Sequence, residues 1–165
     1  MRFLVVVLPL EPLAVGSGFR RDSWPAHVTL VPPFQTDAPA GPVLEAIGAA
    51  AAPYGPLEAH GEGHAKFGRR RDVPVTTIEL TPEFQSLHVD VLTAVDRFLG
   101  RGVRLTHVGP RNYRPHVTVQ TGGGLEPGES VILSQLAVID MRPHGDARHR
   151  SVVATMPLAG NETID

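Results

Sequence analysis

The chain has no cysteine among its 165 residues. That excludes disulfides and thiolate zinc sites, and it fits a reducing cytoplasm, where the protein is expected to reside. The chain also lacks an excess of positive charge: 15 Lys and Arg stand against 17 Asp and Glu, for a formal net charge of -2. A protein that coats nucleic acid through bulk electrostatics needs many Lys and Arg contacts to phosphates, so that class is excluded. Arg69-Arg70-Arg71 is the one basic run, and it reads as a solvated loop. No apolar stretch approaches the roughly 20 residues that a membrane-spanning helix requires. Met1 to Leu10 has the outline of a signal peptide, with Arg2 before an apolar run, yet Pro9 and Glu11 interrupt it early. Phe3 to Leu8 is rich in strand-favouring residues, and a buried first strand is expected there. Also missing are a phosphate-cradling P-loop, a dinucleotide-type glycine motif directly after a strand, and a nucleophile elbow.

What is present is an ordinary apolar share, 42%, in a chain long enough for one folded unit of two small lobes sharing a core. After the first strand, Glu11 to Pro25 reads as a loop. An apolar strand follows over Val28 to Val31 and is expected to stop at Pro32-Pro33. Val43, Leu44 and Ile47 among alanines predict a short helix from Pro42 to Ala52. Leu57 to His60, Gly63 to Phe67 and Val75 to Leu80 read as three short strands. Phe84, Leu87, Val91, Leu92, Val95 and Phe98 recur at three- and four-residue steps, predicting a helix from Pro82 to Leu99 capped by Thr81 and closed by Gly100. A strand near Val103 to His107, a loop at Gly109 to Asn112 and a second apolar strand after Pro115 are expected next. A glycine-rich turn from Gly122 to Gly128, strands near Leu133 to Arg142 and Ser151 to Leu158, and a polar tail complete the reading.

The two strands that follow Pro25 and Pro115 carry the same tetrad, His27-Val28-Thr29-Leu30 and His116-Val117-Thr118-Val119. Side chains alternate along a strand, so each tetrad shows its His and Thr on one face and packs its apolar residues on the other. One such tetrad arises readily by chance. Two in a short chain, each preceded closely by proline, point to function. An imidazole exchanges protons near neutral pH, with an unperturbed pKa of about 6.5. Two imidazoles supply the base and the acid that displacement at a phosphodiester needs, each worth ~10²–10⁴ in rate. The Thr hydroxyls can donate to the non-bridging oxygens as charge accumulates there, so the chemistry calls for no metal and no cofactor.

The stretches Trp24-Pro25-Ala26-His27-Val28-Thr29-Leu30-Val31-Pro32-Pro33-Phe34 and Tyr113-Arg114-Pro115-His116-Val117-Thr118-Val119 resemble the paired motifs of the two-histidine (2H) phosphoesterase superfamily. The likeness is strongest to its bacterial 2′,5′ RNA ligase-like and cyclic phosphodiesterase branch, and it covers residues 1–165 as one domain. The resemblance implies an α+β, bilobal fold of two pseudo-symmetric units, each an antiparallel sheet with a flanking helix. They would form a V-shaped cleft with His27 and Thr29 on one wall and His116 and Thr118 on the other. It implies metal-independent hydrolysis of a 2′,3′-cyclic phosphate or 2′,5′ linkage on an RNA end or small nucleotide, with His116 toward the base role and His27 toward the acid. A 2′,5′ RNA ligase and a non-catalytic nucleotide-binding module are the alternatives. The partner expected is the nucleotide or RNA end alone, with no membrane, no obligate protein partner and a monomeric chain. After the second motif the chain departs from RNA-binding relatives, with Gln120-Thr121 and three glycines in place of basic residues and no clear helix.

Phe34, Tyr113 and Phe67 are further candidates, for contacts to a base, with Phe67 and the arginines after it forming a lid. His60 and His64 have a metal-ligand spacing only on a helix, which Gly61 and Gly63 disfavour, so they read as loop. His88 reads as solvent-facing, and His107, His144 and His149 show no partner pattern.

Overall fold

The structure is a computed structural model that describes residues 1–120 and 123–160. Thr121, Gly122 and the tail after Gly160 lie outside the described residues. Among the described residues are nine strands and two α-helices. Strands β1 (Arg2–Pro9), β2 (Gly18–Arg20) and β3 (His27–Thr36) come first, then α1 (Ala40–Ala51), β4 (Leu57–Phe67), β5 (Val73–Ile78) and α2 (Pro82–Asp96). The rest is β6 (His116–Thr118), β7 (Ser130–Leu133), β8 (Gln135–Asp140), a 3₁₀ turn at Pro143–Gly145, and β9 (His149–Pro157). The fold is α+β, as expected. All strands join one curled antiparallel sheet in the order β2-β9-β8-β1-β3-β6-β5-β4-β7.

That order corrects the picture of two separate sheets facing each other. The tetrad strands β3 and β6 are neighbours in one sheet, joined at the register pair Val28 and Val117. One half of the sheet, ending in β3, carries His27 and Thr29; the other, starting at β6, carries His116 and Thr118. A flanking helix for each unit is also not observed. Both helices fall between the two tetrads in the chain and pack on one face of the sheet. There Val43 and Ile47 of α1 and Phe84, Leu87, Val91 and Val95 of α2 meet Leu4, Val6, Leu8, Val28, Leu30 and Val117. Alternation therefore sends His27, Thr29, His116 and Thr118 to the opposite face.

On that second face the loop after β1 folds back across the sheet. Leu13, Phe19 and Trp24 cover Val5, Val7, Ala137, Ile139 and Val152. The Gln135 side chain ties the loop down by accepting from the Leu13 amide at 2.8 Å and donating to the Leu13 carbonyl at 3.0 Å. No helix is long and apolar enough to cross a membrane among the described residues.

Several boundaries differ from the sequence expectation. β3 runs through Pro32-Pro33 to Thr36 because those prolines sit at a bulge, where Leu4 pairs Phe34 but Val6 pairs Val31 and no ladder amide is demanded of them. Leu57 to His60 and Gly63 to Phe67 form one strand, β4, which pairs β7 over Leu57 to His60 and β5 from Gly61 onward, with a bulge between Gly61 and Gly63. His60 and His64 are thus strand residues, not loop. Helix α2 keeps its Thr81 cap, whose hydroxyl accepts the Phe84 amide at 3.2 Å, but ends at Asp96. Phe98 and Leu99 donate to the carbonyls of Val95 and Asp96, tightening the last turn before Gly100 is reached. No strand forms over Val103 to His107, where Gly102 and His107 hold left-handed backbone, φ +75° and +59°. The expected strand from Leu133 to Arg142 divides into β7 and β8.

Candidate active site

On antiparallel strands a single register pair fixes its neighbours. With Val28 opposite Val117, His27 stands opposite Thr118 and Thr29 opposite His116. The four side chains form a rectangle on the face away from the helices, with imidazoles on one diagonal and hydroxyls on the other. Diagonal neighbours across paired strands are about 7–8 Å apart, with their Cβ atoms somewhat closer, a gap that one phosphoryl group can bridge between two ring nitrogens.

Both imidazoles are held in the same way. His27 Nδ1 donates to the Pro25 carbonyl at 2.8 Å, and His116 Nδ1 donates to the Arg114 carbonyl at 2.9 Å. A carbonyl only accepts, so each Nδ1 keeps its proton and each Nε2 becomes the titrating atom. The proline before each histidine fits this turn, because its fixed backbone carries the chain into the strand while the carbonyl two residues before the histidine stays free to accept.

Burial holds the His27 pKa below the usual histidine value; the Pro25 carbonyl opposes this, and the nearby His116 adds to it. His116 is also lowered, again first by burial, with the Arg114 carbonyl opposing and the Arg114 guanidinium reinforcing. Each ring is backed by an aromatic side chain and an arginine. Trp24 lies 4.9 Å from the His27 ring and Arg150 sits over Trp24 at 5.5 Å. Phe67 lies 4.6 Å from the His116 ring, edge to face, and Arg114 sits over Phe67 at 4.7 Å. The two halves thus repeat a triple of imidazole, aromatic ring and guanidinium.

A sequence profile of the 2′-5′ RNA ligase superfamily matches residues 14–141, a span that holds both tetrads. The chain belongs to the 2′-5′ RNA ligase superfamily. Solved structures with the same fold include TT0787 of Thermus thermophilus, 19% identical, covering 98% of this chain and 100% of that one with a TM-score of 0.63. LigT of E. coli complexed with NADP+ is 13% identical, covers 96% of this chain and 98% of its own, and gives a TM-score of 0.58. LigT complexed with 3′-AMP is 14% identical over the same shares, with a TM-score of 0.56. No curated protein matches.

The superfamily fold brings some of the sequence candidates together and removes others. Phe67 reaches the rectangle beside His116. Phe34 does not: it is 2% exposed inside the helix-side core. Tyr113 is likewise enclosed, its hydroxyl donating to the Thr29 carbonyl at 2.8 Å, and burial pushes its pKa far up. Neither ring offers a face for a base. His88 is fully buried, not solvent-facing. Arg69 to Arg71 lie exposed in the turn between β4 and β5, as a solvated loop. His60 donates to or accepts from Ser130 Oγ at 2.8 Å, and His149 meets the Asp146 carboxylate at 2.9 Å, a pairing the spacing alone does not suggest. Among the described residues no three His, Asp or Glu side chains converge as a metal site. Trp24, Arg114 and Arg150 are the neighbours that sequence reasoning misses. The first two adjoin the tetrads, which is the available signal; Arg150 arrives from β9 with none.

Proposed function

We propose that the chain is a phosphoesterase that opens a 2′,3′-cyclic phosphate or a 2′,5′-linked phosphodiester on an RNA end or small nucleotide, using the two imidazoles as base and acid. The observation that carries this reading is the matched pinning of both Nδ1 atoms, which leaves two Nε2 atoms on one diagonal. One Nε2 takes a proton from water as its oxygen bonds to phosphorus. The other gives a proton to the sugar oxygen as the bond from phosphorus to that oxygen breaks, leaving a phosphomonoester. Thr29 and Thr118 donate to the non-bridging oxygens while the pentavalent state forms. We assign the base role to His116, since the Arg114 guanidinium beside it favours the neutral ring, and the acid role to His27. Phe67 and Arg114 are the substrate-side neighbours we assign to the nucleotide.

Ligation would put a 5′-hydroxyl in the place of water: its oxygen bonds to phosphorus as it loses a proton to one Nε2, while the bond from phosphorus to the 3′-oxygen of a 2′,3′-cyclic phosphate breaks and that oxygen takes a proton from the other, and the symmetric tautomers permit it. LigT binds NADP+ and 3′-AMP, and we carry nucleotide binding over to this chain as part of the proposal. Because one chain supplies all four groups, a monomer in the cytoplasm suffices, with no metal or cofactor.

The test is incubation with nucleoside 2′,3′-cyclic monophosphates and short RNAs ending in a cyclic phosphate, in excess chelator, beside the His27→Ala/His116→Ala double variant. Turnover by wild type alone supports the reading. No turnover of any substrate, or turnover abolished by the chelator, overturns it.

A further inference from the structure

Two residues that sequence reasoning sends to the substrate and to solvent, Tyr113 and His88, are spent on each other and on the tetrad backbones. Their rings stack with centroids 3.7 Å apart and planes within 5°. Tyr113 Oη donates to the Thr29 carbonyl at 2.8 Å, and His88 Nδ1 donates to the Leu30 carbonyl at 2.8 Å, so adjacent carbonyls of β3 are both taken. His88 Nε2 accepts the Gly109 amide at 2.9 Å, and the Gly109 carbonyl accepts the Tyr113 amide at 3.3 Å. One residue beyond Tyr113 is Arg114, whose carbonyl holds the His116 ring.

A space-filling role does not require this arrangement. Leucine and phenylalanine would fill the volume with no polar atoms to satisfy, whereas a buried imidazole and phenol cost free energy unless every donor and acceptor is matched. Here all are matched, and every partner is backbone leading into one tetrad or the other. The single register pair between β3 and β6 leaves their relative position to be fixed by something further. The ionisable neighbour of His88 is Tyr113; β3 and the loop present only a carbonyl and an amide to it.

We propose that His88 and Tyr113 are positioning residues, a buried clamp between α2, β3 and the loop before β6 that sets the separation of the His27 and His116 imidazoles. The clamp rests on the two-imidazole reading of the site for its catalytic consequence, though not for its geometry.

Tyr113→Phe keeps the ring stack and deletes the bond to Thr29. It is expected to lower kcat by about tenfold or more with KM held within about twofold, the pattern of a misplaced catalytic group. His88→Leu is expected to do the same, and His88→Gln, whose amide oxygen can still accept from Gly109, to recover part of the loss. The spacing is read without turnover from NMR titration of the His27 ring. Replacing His116 with Gln shifts that titration, and the size of the shift reports how close the rings stand. A changed shift in the Tyr113→Phe background supports the clamp. An unchanged shift, whatever happens to thermal stability or rate, overturns it and leaves the pair as core packing. If wild type turns over no phosphodiester, the functional reading falls while the ring titration still decides the clamp.

Discussion

At the scale of single residues, the two imidazoles share one proton problem. Each is depressed by burial, so the state in which one ring is charged and the other neutral lies on the acid side of the ordinary histidine value, 6.5. The kcat/KM profile of the free protein is therefore expected to be a bell with its maximum below that value. A bound phosphate anion favours imidazolium, so the kcat profile should sit at higher pH than the kcat/KM profile. Initial rates across pH at low and saturating substrate measure both; coincident profiles, or a flat one, would contradict the assignment. Single substitutions separate the roles. His27→Ala and His116→Ala should each abolish turnover with an unchanged circular dichroism spectrum, whereas Thr29→Val and Thr118→Val should slow it by a smaller factor. Much of this site is legible in the sequence, because alternation on a strand fixes which side chains share a face. Phe34 and Tyr113 are not legible as core: an aromatic residue at a strand end has the same local pattern whether it meets solvent, substrate or a helix. Phe67 becomes a neighbour of the His116 ring only through the pairing of β4, β5 and β6, which no local window contains, whereas Trp24 lies three residues before His27.

At the scale of elements, glycine and proline mark irregularities that extend strands as often as they end them. Pro32-Pro33 reads as a stop and is a bulge, since a bulged residue owes no amide to the ladder. Gly61 reads as a break and is the point where β4 changes partners. A Cβ there would lie 2.5 Å from the Glu126 carbonyl oxygen, which belongs to backbone and cannot swing aside. Gly61 also donates to Glu129 and accepts from Gly128, so the chain before β7 is laced to it. Gly61→Ala is expected to destabilise by about 1–3 kcal/mol through forced backbone movement. A lowered urea midpoint measures it, and an unchanged midpoint would show that the turn yields freely. The helices are the most legible elements, their buried residues following three- and four-residue spacing. The expected strand over Val103 to His107 is lost to left-handed backbone at Gly102 and His107, and an apolar run alone carries no sign of that.

At the scale of the whole molecule, His27, His88 and His116 are all held below their ordinary value, with burial the largest cause in each case. Below pH 6.5 the unfolded chain takes up protons that the folded chain resists, so stability falls as pH drops through that region and is unaffected by these groups well above it. Thermal melts between about pH 5 and pH 8 should show Tm declining on the acid side. His88→Gln should flatten part of that decline; a wild-type Tm that rises on acidification would reverse the sign.

The strand order also bears on the order in which the two halves of the site can be assembled. β1 lies between β3 and β8, so the half of the sheet that carries His27 is walled by β8 and β9, which leave the ribosome after every other strand described. A nascent chain that ends at Ser134 already contains both histidines. It leaves β1 as an open edge and uncovers Val5 and Val7, a template for pairing with other chains. Such a truncated chain should be insoluble or inactive when expressed, and a soluble, active one would show that β3 and β6 can meet without that wall. If β3 and β6 need that wall, the two imidazoles come into register only after β8 and β9 have left the ribosome, so the last strands made would set the time at which the site assembles.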